Sequence, residues 1–292
     1  NSESRAFAGT VAVNYLDDDT EASIGGFQTT ESVAGAPTTI IATQGVDVVA
    51  ENRVKPQTIA GAAAVSQNTS IAGAFSINVL NLETISAIRD SSNVDAALAI
   101  NVTADTALTP LTGRFPYDPF STAIGGGGSG GVGIAGSVVV DVLTLTTRAF
   151  VDANSNINAA GAMLGTADQD VTIRATERLD VRNLAGAVGV GVNFDKMNSE
   201  GSGIGAGLYV GVVTIDTQAF VGSSSTVKAG GDIVVHANAS EAITAVAAAA
   251  GLGKSVGVAG GVVVLVLNTT TKAFIDDRSQ GATTAEMRAN GS

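Results

Sequence analysis

An all-β solenoid, parallel and β-helix-like, is the fold class this sequence predicts, and three observations predict it. A nineteen-residue pattern recurs five times without gaps. In each copy the sixth, eighth and tenth positions are apolar without exception, the period-two signature of a β-strand. The apolar mass, 45% of the chain, is Ala, Val, Ile and Leu with only 4% aromatics, which suits narrow strand layers. Stacked antiparallel hairpins, as a roll or a sandwich, are the competing architecture. Corners without Asn-Gly or Asp-Gly favour the solenoid.

The copies are Ala6–Ile24, Ser70–Ile88, Gly133–Val151, Gly203–Val221 and Gly257–Ile275, with starts 64, 63, 70 and 54 residues apart. Self-similarity at such a period signals stacked units, none of which buries its apolar face alone. The chain is therefore expected to be one continuous array over 1–292, with units of about 6–69, 70–132, 133–202, 203–256 and 257–292. Neither end shows a recognisable cap, so a segment of a longer chain is expected.

Within a unit, the sixth, eighth and tenth columns are assigned to the core, the eighth being Val13, Ile77, Val140, Val210 and Val264. The alternate face is expected to be solvated early in the chain and covered later. A polar corner (Asp17-Asp18-Asp19 in the first copy) should hand over to a second short strand. At that handover the fifteenth column is always threonine: Thr20, Thr84, Thr147, Thr217 and Thr271. These hydroxyls are assigned a structural role, capping backbone groups or stacking as a ladder. Two or three coils of about 20–30 residues per unit would give a rod on the order of 50–70 Å long.

A weaker apolar-x-apolar-x-Ala motif recurs at Val46–Ala50, Val171–Ala175 and Ile233–Ala237. Small-residue stretches follow at Ile59–Val65, Leu184–Gly191 and Val246–Gly251, where neighbouring layers can approach closely. One insertion, Thr109–Phe120, holds three of the five prolines and reads as a loop thrown out of the array. A lid over an apolar edge is favoured there over a binding loop. Candidate interaction residues are Phe115, Tyr117 and Phe120 on that loop, and Tyr209, Val263 and Leu265 on an apolar outer face.

A net charge of −12 and a pI near 4.4 argue against nucleic acid as a partner. Without cysteine, stability must come from the backbone ladder and the core. No signal peptide is visible in Asn1–Arg5. The most apolar run, Ser255–Leu267, falls short of the roughly twenty residues of a spanning helix, and scattered Phe and Tyr make no aromatic girdle, so no transmembrane segment is expected. Gly125–Gly131 superficially matches a phosphate loop and a nucleophile elbow, but a strand follows it, so a linker or corner is expected. The one histidine, His236, alternates with the core residues Ile233 and Val235 and so faces outward or sideways. No catalytic residue and no cofactor is assigned. Calcium is the one cation the acidic groups Asp17-Asp18-Asp19, Glu21 and Asp276-Asp277 would attract, and they lack the alternating spacing of known calcium loops.

The unit G-x-A-G-x-V-x-V-x-V, hydrophobic, three polar residues and T-x-A-F/Y-I/V, followed downstream by Ala229–Ala237 (AGGDIVVHA), resembles the repeats of giant secreted bacterial proteins. These are the haemagglutinin-like adhesins and the repeat-rich leukotoxin-type exoproteins. The resemblance implies export to a bacterial cell surface and a β-solenoid stalk used in adhesion, biofilm or surface assembly, with no catalytic residues to carry over. Partners implied are further copies of the chain, a host or neighbouring-cell surface, or a glycan. The alternatives are a self-assembling subunit of an extracellular filament or sheath, and a polysaccharide-active β-helix enzyme.

Overall fold

Every coil of this chain takes about sixty residues and visits three parallel sheets. The structure, a computed structural model, describes residues 4–26, 37–89, 91–111, 119–159, 167–192 and 200–275, and the backbone of 286–289. The first coil contains β1 (Arg5–Ile24), β2 (Thr39–Ala42), β3 (Val46–Val54) and β4 (Thr58–Ser66). The second contains β5 (Thr69–Ile88), β6 (Asn93–Ala96), β7 (Ile100–Leu108) and β8 (Ser121–Ser129). The third contains β9 (Val132–Val151), β10 (Asn156–Ile157) and β11 (Val171–Gly191), the fourth β12 (Ser202–Val221), β13 (Thr226–Ala229) and β14 (Ile233–Gly253). A fifth begins with β15 (Val256–Ile275) and β16 (Glu286–Ala289).

Sheet A stacks β1-β5-β9-β12-β15, sheet B stacks β2-β6-β10-β13-β16, and sheet C carries β3, β4, β7, β8, β11 and β14. All pairings are parallel, which sets aside the hairpin roll and the sandwich. Sheet A pairs the five copies column on column, so Val140 lies between Ile77 and Val210, and Thr147 between Thr84 and Thr217. The weaker motif opens sheet C in register: Val46, Ile100, Val171 and Ile233 share one column.

Three expectations need correction. One unit is one coil, not two or three, so the long dimension runs along the strands. Twenty residues at about 3.3 Å span roughly 66 Å, whereas five stacked strands separated by about 4.8 Å span only some 19 Å from first to last. There is also no polar corner. The strand continues through Asp17-Asp18-Asp19 and its equivalents to the nineteenth column, and Asn81 Nδ2 bonds Asp17 Oδ1 across the ladder at 2.8 Å. Finally, Gly125–Ser129 is strand, and only Gly130-Gly131 turns the chain from sheet C to sheet A. The Ala247–Ala250 run is strand, within β14.

Two sheets of about twenty residues joined by a four-residue third side make a wedge, and the interior side chains follow its taper. At the base, against sheet B, lie Ile88, Val94, Val102, Val151, Ile173 and Val221. Leu80, Leu82, Leu143, Leu145, Leu179 and Phe120 fill the middle. Toward the thin edge the core shrinks to Ala60, Ala74, Ala123 and Ala185 with Val139 and Tyr209. At the edge itself it is glycine. A Cβ on Gly127 would overlap the Ile134 carbonyl, and one on Gly189 the Ile204 carbonyl, so sheets A and C meet there backbone to backbone.

Two polar seams cross this core. The invariant threonines form the first, bonding through sheet C rather than only to each other: Thr147 donates to Thr106 at 2.6 Å, and Thr106 to Thr84 at 2.8 Å. Nearer the edge, Asn78 Nδ2 donates to Asp141 Oδ1 at 2.7 Å, Thr58 donates to Asn78, and Ser76 and Ser121 are bonded at 2.8 Å. Tyr209 fills the space that the side-chain-free Gly211 leaves in the Asn78–Asp141 column, and its hydroxyl accepts from Asn183 Nδ2 at 2.9 Å.

Burial lifts the Asp141 carboxyl to about 6 against the stabilising bonds from Asn78, Tyr209 and Ser121. The folded chain therefore holds this proton more tightly than the unfolded one. The associated stability is complete below the ordinary value of 3.8 and lost as pH rises through about 6. Asp141→Asn keeps an oxygen for Asn78 and removes the charge. It should raise stability at pH 7 by about 3 kcal/mol and leave it unchanged at pH 3, as read from urea midpoints.

Candidate interaction surface

The wedge presents two broad outer faces, and half of each carries almost no hydrogen-bonding side chain. On sheet A the inward columns are the odd ones: Ala135, Ser137, Val139, Asp141, Leu143, Leu145, Thr147, Ala149 and Val151 are buried in β9. The sixth, eighth and tenth columns therefore point out. Val13, Ile77, Val140, Val210 and Val264, assigned to the core from their alternation, lie on the outer face, with Val13 65% and Val264 44% exposed. The alternation was read correctly as strand and assigned to the wrong side. The usual rule takes the more apolar face as the inner one. Here the inner columns must be small or hydrogen-bonded to fit the taper, which leaves the outer columns the more apolar set.

Five outward columns make up the apolar half of sheet A. The second is Phe7, Ile71, Ile134, Ile204 and Val258; the fourth is Gly9, Gly73, Gly136, Ala206 and Gly260. The sixth, eighth and tenth are Val, Ile, Leu, Phe and Tyr throughout, and among these outward positions only Tyr15 carries a hydrogen-bonding group. The boundary is straight. From the twelfth column the outer face is Asp17, Asn81, Thr144, Thr214 and Asn268, and beyond it Arg148 pairs with Asp216 at 2.6 Å. At the far end Phe150, Phe220 and Phe274 stack at 4.8 and 5.1 Å, with the Arg89 guanidinium 5.2 Å from the Phe150 ring.

Sheet C repeats the division from the other side of the thin edge. Its outer positions there include Ile59, Val65, Ile124, Leu184, Val188 and Val190, while its base half carries Asp47, Glu51, Arg53, Arg174, Arg178 and His236. His236 does face outward. The thin edge is thus apolar on both outer faces and packed with glycine between them.

No family model, curated protein or solved structure matches the chain. The resemblance to secreted repeat proteins therefore rests on the quoted motifs alone.

Tyr209 is 1% exposed and belongs to the interior, so it is no part of an outer surface. Val263 and Leu265 are inward columns of the fifth strand, 46% and 42% exposed at the end of the described stack. Phe120 is 1% exposed among the leucines of the middle core, where its carbonyl accepts from Thr58 N at 2.9 Å and its amide donates to Arg182 O at 2.8 Å. Phe115 and Tyr117 lie outside the described residues. Their insertion falls between β7 and β8, at the point that Lys55-Pro56-Gln57 bridges in the first coil and that β11 crosses without a break. The invariant threonines occupy inward columns, with Thr84, Thr147 and Thr217 fully buried and Thr271 exposed at the end of the described stack. Asp17 and Asp19 point outward while Asp18 points inward, and among the described residues no three acidic or histidine side chains converge on a metal position; Asp276 and Asp277 lie outside those residues. No described helix is long and apolar enough to cross a membrane.

The outer face was missed at the level of sequence. Its signal was the fourth column, where four glycines and one alanine sit in the middle of a strand. A Cβ on Gly9, Gly136 or Gly260 would meet nothing within 4 Å, so nothing inside the chain requires their smallness.

Proposed function

We propose that the chain is a non-enzymatic structural segment of an extracellular bacterial surface protein, a β-solenoid whose work is to present surface and associate. One observation supports this above the rest: the outward columns two to ten of sheet A form a continuous apolar field extending over all five stacked strands. Monomeric soluble proteins rarely leave a contiguous apolar patch larger than a few hundred Å² in water. A coil of about sixty residues advances the stack by only about 4.8 Å, so the architecture is poor in reach and rich in lateral area. Adhesive or sheath-like association is the role such area serves.

The test is immunolabelling of intact cells that make the protein, paired with deletion of this segment. Surface labelling without lysis, with reduced aggregation or attachment of the deletion strain, is the expected result. Label that appears only after lysis overturns the reading.

A further inference from the structure

We propose that the apolar half of sheet A is a self-complementary interface on which a second copy of this chain docks face to face. This deepens the associative reading above and rests on it. The field spans nine residues along the strand and five strands across it, about 30 by 24 Å, or roughly 700 Å² on each copy. Paired, it buries on the order of 1,400 Å², within the range of a stable specific interface.

The relief of the field sets the register. The outward glycine column runs as a groove along the stack, two columns from the sixth, and the β-branched eighth column runs as a ridge two columns to the other side. A two-fold axis parallel to the stack, passing over the sixth column, seats each ridge in the partner's groove: Val140 of one copy over Gly136 of the other, Val138 over Val138. It also carries the two polar halves outward in opposite directions, so Asp17, Asp19 and Asp216 stay in water instead of facing their like. Sheet C offers a weaker surface, because Gly61 and Gly186 flank Ile124 in one column and Gly126 sits between Ala63 and Val188 in another, so neither column runs along the stack as an unbroken groove or ridge.

Insertion of the thin edge into a bilayer is the competing use of the same chemistry. It would carry the corner residues Gln67, Asn68, Lys254 and Ser255 across the hydrocarbon, and pairing requires no such transfer.

The experiment is sedimentation of the intact chain together with disulfide trapping, which a chain without cysteine allows cleanly. Val138→Cys should crosslink to itself under mild oxidation and Thr146→Cys, on the polar half, should not. Gly136→Leu fills the groove without touching the interior and should weaken self-association at least tenfold, with circular dichroism unchanged and the urea midpoint of the monomer not lowered. Three outcomes overturn the proposal: a wild-type monomer at micromolar concentration, equal trapping at Thr146→Cys, or capture by phosphatidylcholine vesicles with no self-association. A monomer that still labels the cell surface removes this pairing and leaves the associative reading standing.

Discussion

Alanine at Gly189 should destabilise the fold by several kcal/mol, while alanine at Gly186, three residues away in the same strand, should be neutral or slightly stabilising. The substitutions are chemically identical and differ only in which side of sheet C they face. Gly189 points inward at the thin edge, where a Cβ would overlap both the carbonyl oxygen and the carbonyl carbon of Ile204. Backbone has no rotamer to yield, so sheets A and C must separate, and the separation propagates along a column that Gly127 and Gly251 share. Gly186 points outward, and its nearest neighbour would be Ile124 Cγ1 at 3.8 Å, an ordinary contact. Removing a glycine there lowers the entropy of the unfolded chain at no steric cost, worth about 0.4–1 kcal/mol. Urea midpoints of the two variants decide the matter. Equal midpoints would mean that the edge is not closed backbone to backbone.

That contrast also shows what sequence pattern carries and what it lacks. Strand, parallel stacking and register were legible because Thr20, Thr84, Thr147, Thr217 and Thr271 recur at fixed offsets, and such columns coincide only when copies lie in register. Coil length was not legible. The polar triplet at Asp17-Asp18-Asp19 has turn chemistry, yet Asp17 is tied to Asn81 in the ladder and the strand runs on. Nor was the side of the sheet: alternation is symmetrical between the faces, and choosing one requires knowing what lies across the interior. Toward the thin edge of this wedge the facing partner is another backbone, so the inner columns there read mostly as Gly, Ala, Ser and Asn. The outer columns, read as core, turn out to be the candidate surface. The insertion at 109–120 was legible from its prolines, but Phe120 belongs to the middle core because it closes sheet C where the strand resumes.

Raising the pH from 5 to 9 should cost the folded chain on the order of 4 kcal/mol through a single residue, Glu177. In the third coil it takes the sheet C column that Thr106 holds in the second. Thr106 there links Thr84 to Thr147, whereas both Glu177 carboxyl oxygens are buried without a partner, as is the Thr217 hydroxyl. Burial first, and the nearby Glu241 charge second, raise its pKa from 4.5 to about 8. Folding therefore takes up a proton at neutral pH. The stability linked to that proton is whole below the unfolded value of 4.5 and is lost as pH rises through about 8. Glu177→Gln removes the ionisation, so its urea midpoint should change much less between pH 5 and pH 9. Glu177→Thr should go further, because the hydroxyl continues the zigzag and gives Thr217 a partner; it should exceed the parent in stability at pH 9. A parent chain whose midpoint is flat over that pH range would show that the carboxyl is hydrated rather than sealed in the threonine seam.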